Sequence, residues 1–297
     1  MSIEGVPDGV ADEWVNATRA ALENDIGASA ADVLARVLPA IPIGYDELNW
    51  PNSAAVDLPI VDRLASVSAG LPAADGVATA LTHFTEAPQH QWRFRVYHAG
   101  TALALADLLP LLDQLGFRAI DERAFHFALG EQGVWLHDVG VEIPAGVDFN
   151  DEARAEVQRA FVSQFTEAVE VDGLNRLVLL AGLTARQVEV LRAYSRYLRQ
   201  IGFPFSQQYI EATLARHAGI AAQLVRFFEV RFSPYIADDR VGAAKEARDP
   251  LVEALEAVPS LDDDRTLRSL LALIDATVRT NAFRPGPNDG NRDVLAF

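Results

Sequence analysis

Cysteine is absent from the chain. That absence removes disulfide bonds, thiolate nucleophiles and cysteine-ligated zinc or iron–sulfur centres together. Lysine is almost as scarce: of 25 basic residues, all but Lys245 are arginine. No stretch of about 18 consecutive apolar residues occurs, so no membrane span is expected. The opening MSIEGVPDGVADEW has neither the basic patch nor the apolar core of a secretory signal, and a cytoplasmic location is the expectation. Positive charge is outweighed: a formal net charge of −17 argues against a nucleic-acid partner, because affinity for phosphate backbones comes from clustered lysine and arginine. There is no G-x-G-x-x-G after a strand, no G-x-x-x-x-G-K-[ST], no H-E-x-x-H and no G-x-S-x-G.

What is present is globular. Half of the 297 residues are hydrophobic and 23% are charged. At about 150 residues per domain, the length predicts two units. The N-terminal part reads as helix. Residues 12–25 put Trp14, Ala17, Ala21 and Leu22 on one stripe, with Gly27 as the stop. Ser29 is the expected cap of a second helix carrying Val33, Leu34, Val37 and Leu38. After the turn IPIGYDELNWPNS, Ser53 or Asp57 is expected to open a helix with Val56, Ile60, Val61, Leu64 and Val67 at helical spacing.

From Gly76 the period changes. ATALTHFTE, QWRFRVYH, FRAIDERAFHFAL and VWLHDVGV read as four strands. In the second, Trp92, Phe94 and Val96 share one face, and Arg93, Arg95 and Tyr97 the other. A helix follows it to Gly116, with Leu105, Leu108, Leu109, Leu112 and Leu115 toward the core and Pro110 inside. The order predicts a four-stranded antiparallel sheet with helices on one face, an α+β layer. After Asn150 everything reads as helix. Asn150 or Asp151 caps the first; GLNRLVLLAG is short and apolar; Thr184 and Gln187 have capping-box spacing; Ser206 and Ser260 open later helices. The segment 237–258 is the most polar helix, and Phe227, Phe228, Phe232 and Tyr235 are assigned to the core. RPGPNDGNR is linker chemistry, and VLAF is expected to start a strand.

Several clusters invite a chemical reading. His83, His98, His126 and His137 fall one on each expected strand, with Asp138 beside the last. Imidazole is the commonest metal ligand, yet no H-x-H or i,i+4 pair exists, so independent sheet histidines are preferred and no metal site is assigned. Asp121 and Glu122 point to opposite faces unless a bulge intervenes; ion pairs with Arg118 or Arg123 are the preferred reading. Arg192, Arg196 and Arg199 line one helix face, with Arg176 and Arg186 near in sequence. They suit a phosphate or carboxylate, but a solvated face is favoured. Asp262, Asp263 and Asp264 read as helix-start acids rather than a cation site. The loop His98-Ala99-Gly100-Thr101 joins a strand end to a helix start, where free N–H groups favour an anionic group such as an amino-acid carboxylate; an ordinary connection is the alternative.

RFRVYHAGTALALADLLPLLDQLGFRAIDERAFHF, followed by VWLHDVGV, resembles a region of the very large bacterial NAD-specific glutamate dehydrogenases. So does GLNRLVLLAGLTARQVEVLRAYSRYLRQIGFPFSQQYIEATLARH, followed by LVRFFEVRFSP. LDDDRTLRSLLALIDATVRTNAF is similar to the helix just before that family's catalytic core. The resemblance runs from about Trp14 onward. The family oxidatively deaminates L-glutamate to 2-oxoglutarate and ammonia while reducing NAD. Its N-terminal half carries ACT-like domains and helical segments, with the glutamate and NAD sites downstream.

The resemblance implies an α+β chain: a small four-stranded antiparallel ACT-like sheet with covering helices, flanked by an N-terminal helical segment and a C-terminal all-α domain. The implied boundaries are residues 1–52 for the N-terminal helices, 53–148 for the ACT-like domain, 149–284 for the helical domain and 285–297 for a linker toward a catalytic core. The family's glycine-rich, lysine-bearing catalytic motifs have no counterpart, since Lys245 lies in VGAAKEARDP. No catalytic or cofactor-binding residue is therefore assigned, and NAD belongs to the full-length enzyme. The chain is expected to be an inactive regulatory or assembly fragment. Its expected partners are the rest of the polypeptide, other copies in a homo-oligomer, and an amino-acid effector at an ACT-like seam. His98, Gly100, Thr101 and Asp107 are the candidate effector contacts. The competing expectation is a free-standing interaction or amino-acid-binding module; a metal hydrolase using the strand histidines is a remote third.

Overall fold

Alternating sequence builds one antiparallel sheet in the computed structural model, which describes residues 10–66, 76–83, 87–235, 239–284 and 295–297. Strands β1 (Val77–Thr82), β2 (Gln91–Ala99), β3 (Arg118–Phe127) and β4 (Val134–Glu142) lie in the order β1-β2-β4-β3. The chain divides into two units. The first comprises Met1–Asp113, Phe117–Ala145 and Phe161–Ala168, and the second the remainder. Among the described residues no helix is long and apolar enough to cross a membrane.

In the first unit, α1 (Asp12–Ile26), α2 (Ala30–Val37), α3 (Tyr45–Leu48) and α4 (Pro51–Ala65) precede the sheet, and α5 (Leu105–Gln114) links β2 to β3. Register assigns every strand side chain to a face. Tyr97 lies opposite Leu136, and Arg95 opposite Asp138. Phe125 and Phe127 pair with Leu136 and Val134 on that same face. Leu22, Leu34, Leu58, Val61 and Leu64 of the N-terminal helices are buried in one cluster with Ala78, Ala80, Tyr97, Phe125, Phe127 and Leu136. Burying each large apolar side chain contributes about 1.5–3 kcal/mol. On the other face, Phe94 packs against Phe117 and Phe161, with ring centroids 5.5 and 5.1 Å apart. Phe161 belongs to the end of α6 (Asp151–Phe165).

The sheet is thus covered on both faces, against the one-sided layer expected. The alternation in β2 misleads because Arg93 and Arg95 look like a solvent face, yet both are buried. The α4 boundary also shifts. The helix begins at Pro51 after Trp50, where a fixed proline φ suits the first turn. Ser53 and Asp57 lie inside it, buried, rather than capping it. Ser29 closes a short turn and makes no capping bond. In α5, Leu108 and Leu112 are buried while Leu105 and Leu109 are exposed, so the apolar stripe is narrower than expected. The β3–β4 turn approaches the end of α4 so closely that a Cβ at Gly130 (φ +74°) would sit 2.3 Å from the Ala65 carbonyl oxygen.

The second unit is helical. It includes α7 (Arg176–Ala181), α8 (Ala185–Gln200), α9 (Gln207–Arg216), α10 (Ala218–Phe232), α11 (Arg240–Glu256) and α12 (Leu261–Ala276). The Thr184–Gln187 capping box forms, and Ser206 and Ser260 accept the N–H groups of Tyr209 and Asp263. Leu177, Leu191, Tyr194, Leu224, Phe228, Leu251, Leu267, Leu270 and Ile274 are all buried. Tyr235, expected in the core, is 87% exposed; it follows α10 rather than lying on its inner stripe. Residues 295–297 form no strand, and Val294 lies outside the described residues.

Candidate functional site

The loop after β2 is internally bonded. Gly100, at φ +98°, donates its N–H to the Gly133 carbonyl at 3.0 Å. His98 Nδ1 lies 2.8 Å from the Thr101 carbonyl, so it carries the proton and donates. Leu103 donates its N–H to His137 Nε2 at 3.1 Å. That bond leaves the His137 proton on Nδ1, 3.0 Å from Glu122 Oε1. Helix α5 starts only at Leu105, so residues 102–104 separate Thr101 from it. Asp107 is exposed in its first turn, with its own N–H on the Ala104 carbonyl. The structure therefore brings His98 and Thr101 together and leaves Asp107 on the following helix.

Register places His98, His126 and His137 on one face of the sheet, with Trp135 opposite both His98 and His126. His98 and His137 are used in the hydrogen bonds above, whereas His126 stacks on Trp135 at 4.6 Å and His83 lies 4.9 Å from Trp92. Among the described residues no group of three or more His, Asp or Glu side chains is placed to hold a metal. Asp121 and Glu122 do not share a site despite an irregularity between Ala119 and Asp121. Their partners differ from those expected: Asp121 pairs with Arg93, Glu122 with His137, and Arg118 with Glu142. Arg118 and Glu142 are directly opposite, Glu122 reaches His137 on the diagonal, and Arg93 reaches Asp121 over Gly140 of β4, which has no side chain to separate them.

Sequence reasoning missed the buried polar centre of the first unit. Arg95 Nη1 donates to both oxygens of Asp57, at 2.6 and 2.7 Å, and its Nη2 donates to Asn49 Oδ1 at 2.8 Å. Tyr97 donates to Asp57 at 2.5 Å, and Tyr45 donates to the same carboxylate. Arg93 continues the network to Asp138 at 2.9 Å and to Asp121. Burial works to lower the Arg95 value, but Asp57 and Asp138 outweigh it and hold the guanidinium above its ordinary range. Burial pushes the Tyr45 and Tyr97 hydroxyls well up, so both remain donors. The available signal was two arginines inside a strand of aromatic and branched residues, since charged groups are buried only when paired.

In the second unit, the arginine row of α8 is a solvated face at Arg196 and Arg199, as expected, but not at Arg192, which is buried. Arg192 is 2% exposed and binds Asp172 at 2.6 and 2.9 Å, together with Glu189 and Asn175. Arg196 pairs with Glu170, and Arg199 donates to the carbonyls of Phe203 and Phe205. Of the three acids opening α12, Asp263 is a buried hub. It accepts from Tyr209 at 2.8 Å, Thr213 at 3.1 Å and Arg216 at 2.6 Å, and it lies 3.1 Å from His217 Nε2. Elsewhere in this unit, α10, α11 and the segment after α12 line a cavity of about 1010 Å³, whose charged groups are Arg231, Arg240, Lys245, Arg248, Arg279, Asp249 and Asp275.

The sheet is antiparallel, and among the described residues no strand runs through a glycine-rich turn into a helix. Comparison with known proteins supplies the context. Residues 76–154 match the family description "Glutamate dehydrogenase, ACT3 domain", residues 169–234 match "Glutamate dehydrogenase, helical motif 3", and residues 250–297 match "Bacterial NAD-glutamate dehydrogenase, catalytic domain". The last match starts inside α11, whereas the sequence reading began its linker toward the catalytic core at residue 285.

The NAD-specific glutamate dehydrogenase of Pseudomonas aeruginosa is 37% identical over 283 residues, covering 93% of this chain and 17% of that relative. The one from Halomonas elongata is 34% identical over 270 residues, covering 91% and 16%. The one from Mycobacterium tuberculosis is 32% identical over 268 residues, covering 85% and 16%. The chain spans 16–17% of the length of these curated relatives. The three family matches follow one another along the chain, and with these relatives they show that it belongs to the bacterial NAD-specific glutamate dehydrogenase family.

Proposed function

We propose that this chain is a non-catalytic, assembly-directing segment of a larger NAD-dependent glutamate dehydrogenase. The whole enzyme would deaminate L-glutamate oxidatively to 2-oxoglutarate and ammonia, with NAD as acceptor, in the cytoplasm. The observation that carries the reading is the succession of an ACT3 match, a helical-motif match and a catalytic-domain match, on a chain spanning 16–17% of its relatives. The residues agree with it. The only lysine, Lys245, sits exposed on α11, outside any glycine-rich turn.

Assembly is favoured over effector binding at residues 98–101 because Gly100 and Leu103 have already committed their N–H groups within the unit. The sheet ends in β1 and β3, whose outer edges offer backbone for pairing with another copy. Two measurements test the reading together. Sedimentation over a range of concentrations should show self-association of the chain, and calorimetry with a panel of amino acids should show no saturable heat. A monomer at every concentration contradicts assembly. Saturable heat that disappears in Thr101→Val or Asp107→Asn would instead establish the effector role.

A further inference from the structure

The cavity formed by α10, α11 and the segment after α12 runs against the charge of the whole molecule. Five cationic side chains line it against two carboxylates, in a chain of net charge −17. Val241, Ala244, Lys245 and Arg248 recur at i, i+3, i+4 and i+7, so one face of α11 is turned to the cavity. Three of the guanidinium groups are already oriented. Arg231 lies over the rings of Phe227 and Phe232, at 5.6 and 5.2 Å, and donates to the Ile274 carbonyl at 3.0 Å and to Asp275 at 3.1 Å. Arg240 donates to the Ser233 carbonyl at 2.9 Å. Arg248 reaches Asp275 at 3.3 Å.

Asp275 is thereby shared by two arginines. Lys245 and Arg279 have no hydrogen bond or ion pair among the described residues, and both are exposed. Like charges gathered in this way repel unless an anion enters. Phe232, Val241 and Val278 add an apolar wall. A volume of about 1010 Å³ is at the upper end for a small-ligand site.

We propose that this cavity binds a small organic anion carrying several acidic groups, phosphate or carboxylate, against its cationic side, with the ligand's apolar part on Phe232, Val241 and Val278. Lys245 and Arg279 supply the charges that the fold leaves uncommitted. Arg231, Arg240 and Arg248 are oriented in advance, which lowers the ordering cost of binding. The site is separate from the 98–101 loop and does not depend on the enzyme assignment.

The test is calorimetric titration of the whole chain with inorganic tripolyphosphate and, separately, with propane-1,2,3-tricarboxylate, at matched ionic strength. Saturable binding of at least one probe is expected, and the arm that binds identifies the acidic group. Lys245→Ala with Arg279→Ala should weaken it by tenfold or more. Arg63→Ala with Arg226→Ala, which removes equal charge from exposed positions outside the cavity, should leave it within about twofold. Absence of saturable binding of both probes overturns the proposal, as does equal loss in the two double variants, which would reduce the effect to net charge. Near-identical circular dichroism of the variants excludes misfolding as the cause of a loss.

Discussion

Arg95 of β2 grips Asp57 of α4 through one nitrogen, Nη1, which lies 2.6 and 2.7 Å from the two carboxylate oxygens, and neither residue is exposed. Breaking such a pair from one side leaves a buried charge without compensation, at about 3–5 kcal/mol. Replacing both partners by apolar groups of similar volume is often close to neutral. Asp57→Asn should therefore lower the urea midpoint sharply, while Asp57→Leu combined with Arg95→Met should recover only part of the loss, because the buried Tyr45 and Tyr97 hydroxyls lose their acceptor. A cost below about 1 kcal/mol for the single substitution would show that the pair is not the organising contact of this unit.

Asp263 makes the second unit acid-sensitive. Burial acts to raise its value, but hydrogen bonds from Arg216, Tyr209, His217 and Thr213 outweigh it and hold the carboxyl well below the usual range. A depressed folded value contributes stability that is present above the unfolded value, about 3.9, and lost as pH falls through the folded one. Thermal melts between neutral pH and about pH 3 should steepen below about pH 4 in the native chain. Asp263→Asn should melt lower at neutral pH and follow a shallower acid slope. Parallel curves would remove Asp263 from the account.

The 101–104 segment is tied to the sheet by two imidazoles, His98 at the Thr101 carbonyl and His137 at the Leu103 N–H. His137→Phe keeps the ring but removes the acceptor for the Leu103 N–H. Exchange of the Leu103 amide should accelerate by roughly 2- to 10-fold, matching a net hydrogen bond of about 0.5–1.5 kcal/mol. Unchanged exchange would mean that the bond contributes nothing to the order of this segment.

Gly130 and Gly146 separate two glycine effects. Both have positive φ, +74° and +83°, but an added Cβ meets the Ala65 carbonyl oxygen only at Gly130. Gly146→Ala should show backbone strain alone, on the order of 1 kcal/mol. Gly130→Ala should cost more, because the contact is with backbone and the turn must move. Equal melting temperatures for the two variants would contradict the close approach of this turn to α4.

Much of the fold was legible because it rests on local signals. The alternation in β2 and β4, the Thr184–Gln187 box and the Ser206 and Ser260 caps each lie within a few residues of their partners. The polar centres were not legible for the opposite reason. Asp57 and Arg95 are 38 positions apart, and Asp263 meets Arg216 across 47. Nothing local distinguishes a buried arginine from an exposed one until its partner is known, which is why β2 was read as one-sided and the buried Arg192 was grouped with the exposed Arg196 and Arg199. The 98–101 loop was found from its sequence, but the length of chain before α5 and the use of its N–H groups were not. The cationic cavity has a partial signature in Val241, Lys245 and Arg248; its other walls come from α10 and from the segment beyond α12.

The central claim is that the chain is a segment without its own turnover. The direct measurement is NADH formation from L-glutamate and NAD by the purified 297-residue chain, with its folded state confirmed by circular dichroism. The account predicts no rate above the protein-free control at any concentration of chain. A rate proportional to the concentration of chain would contradict it and place a catalytic centre within these residues.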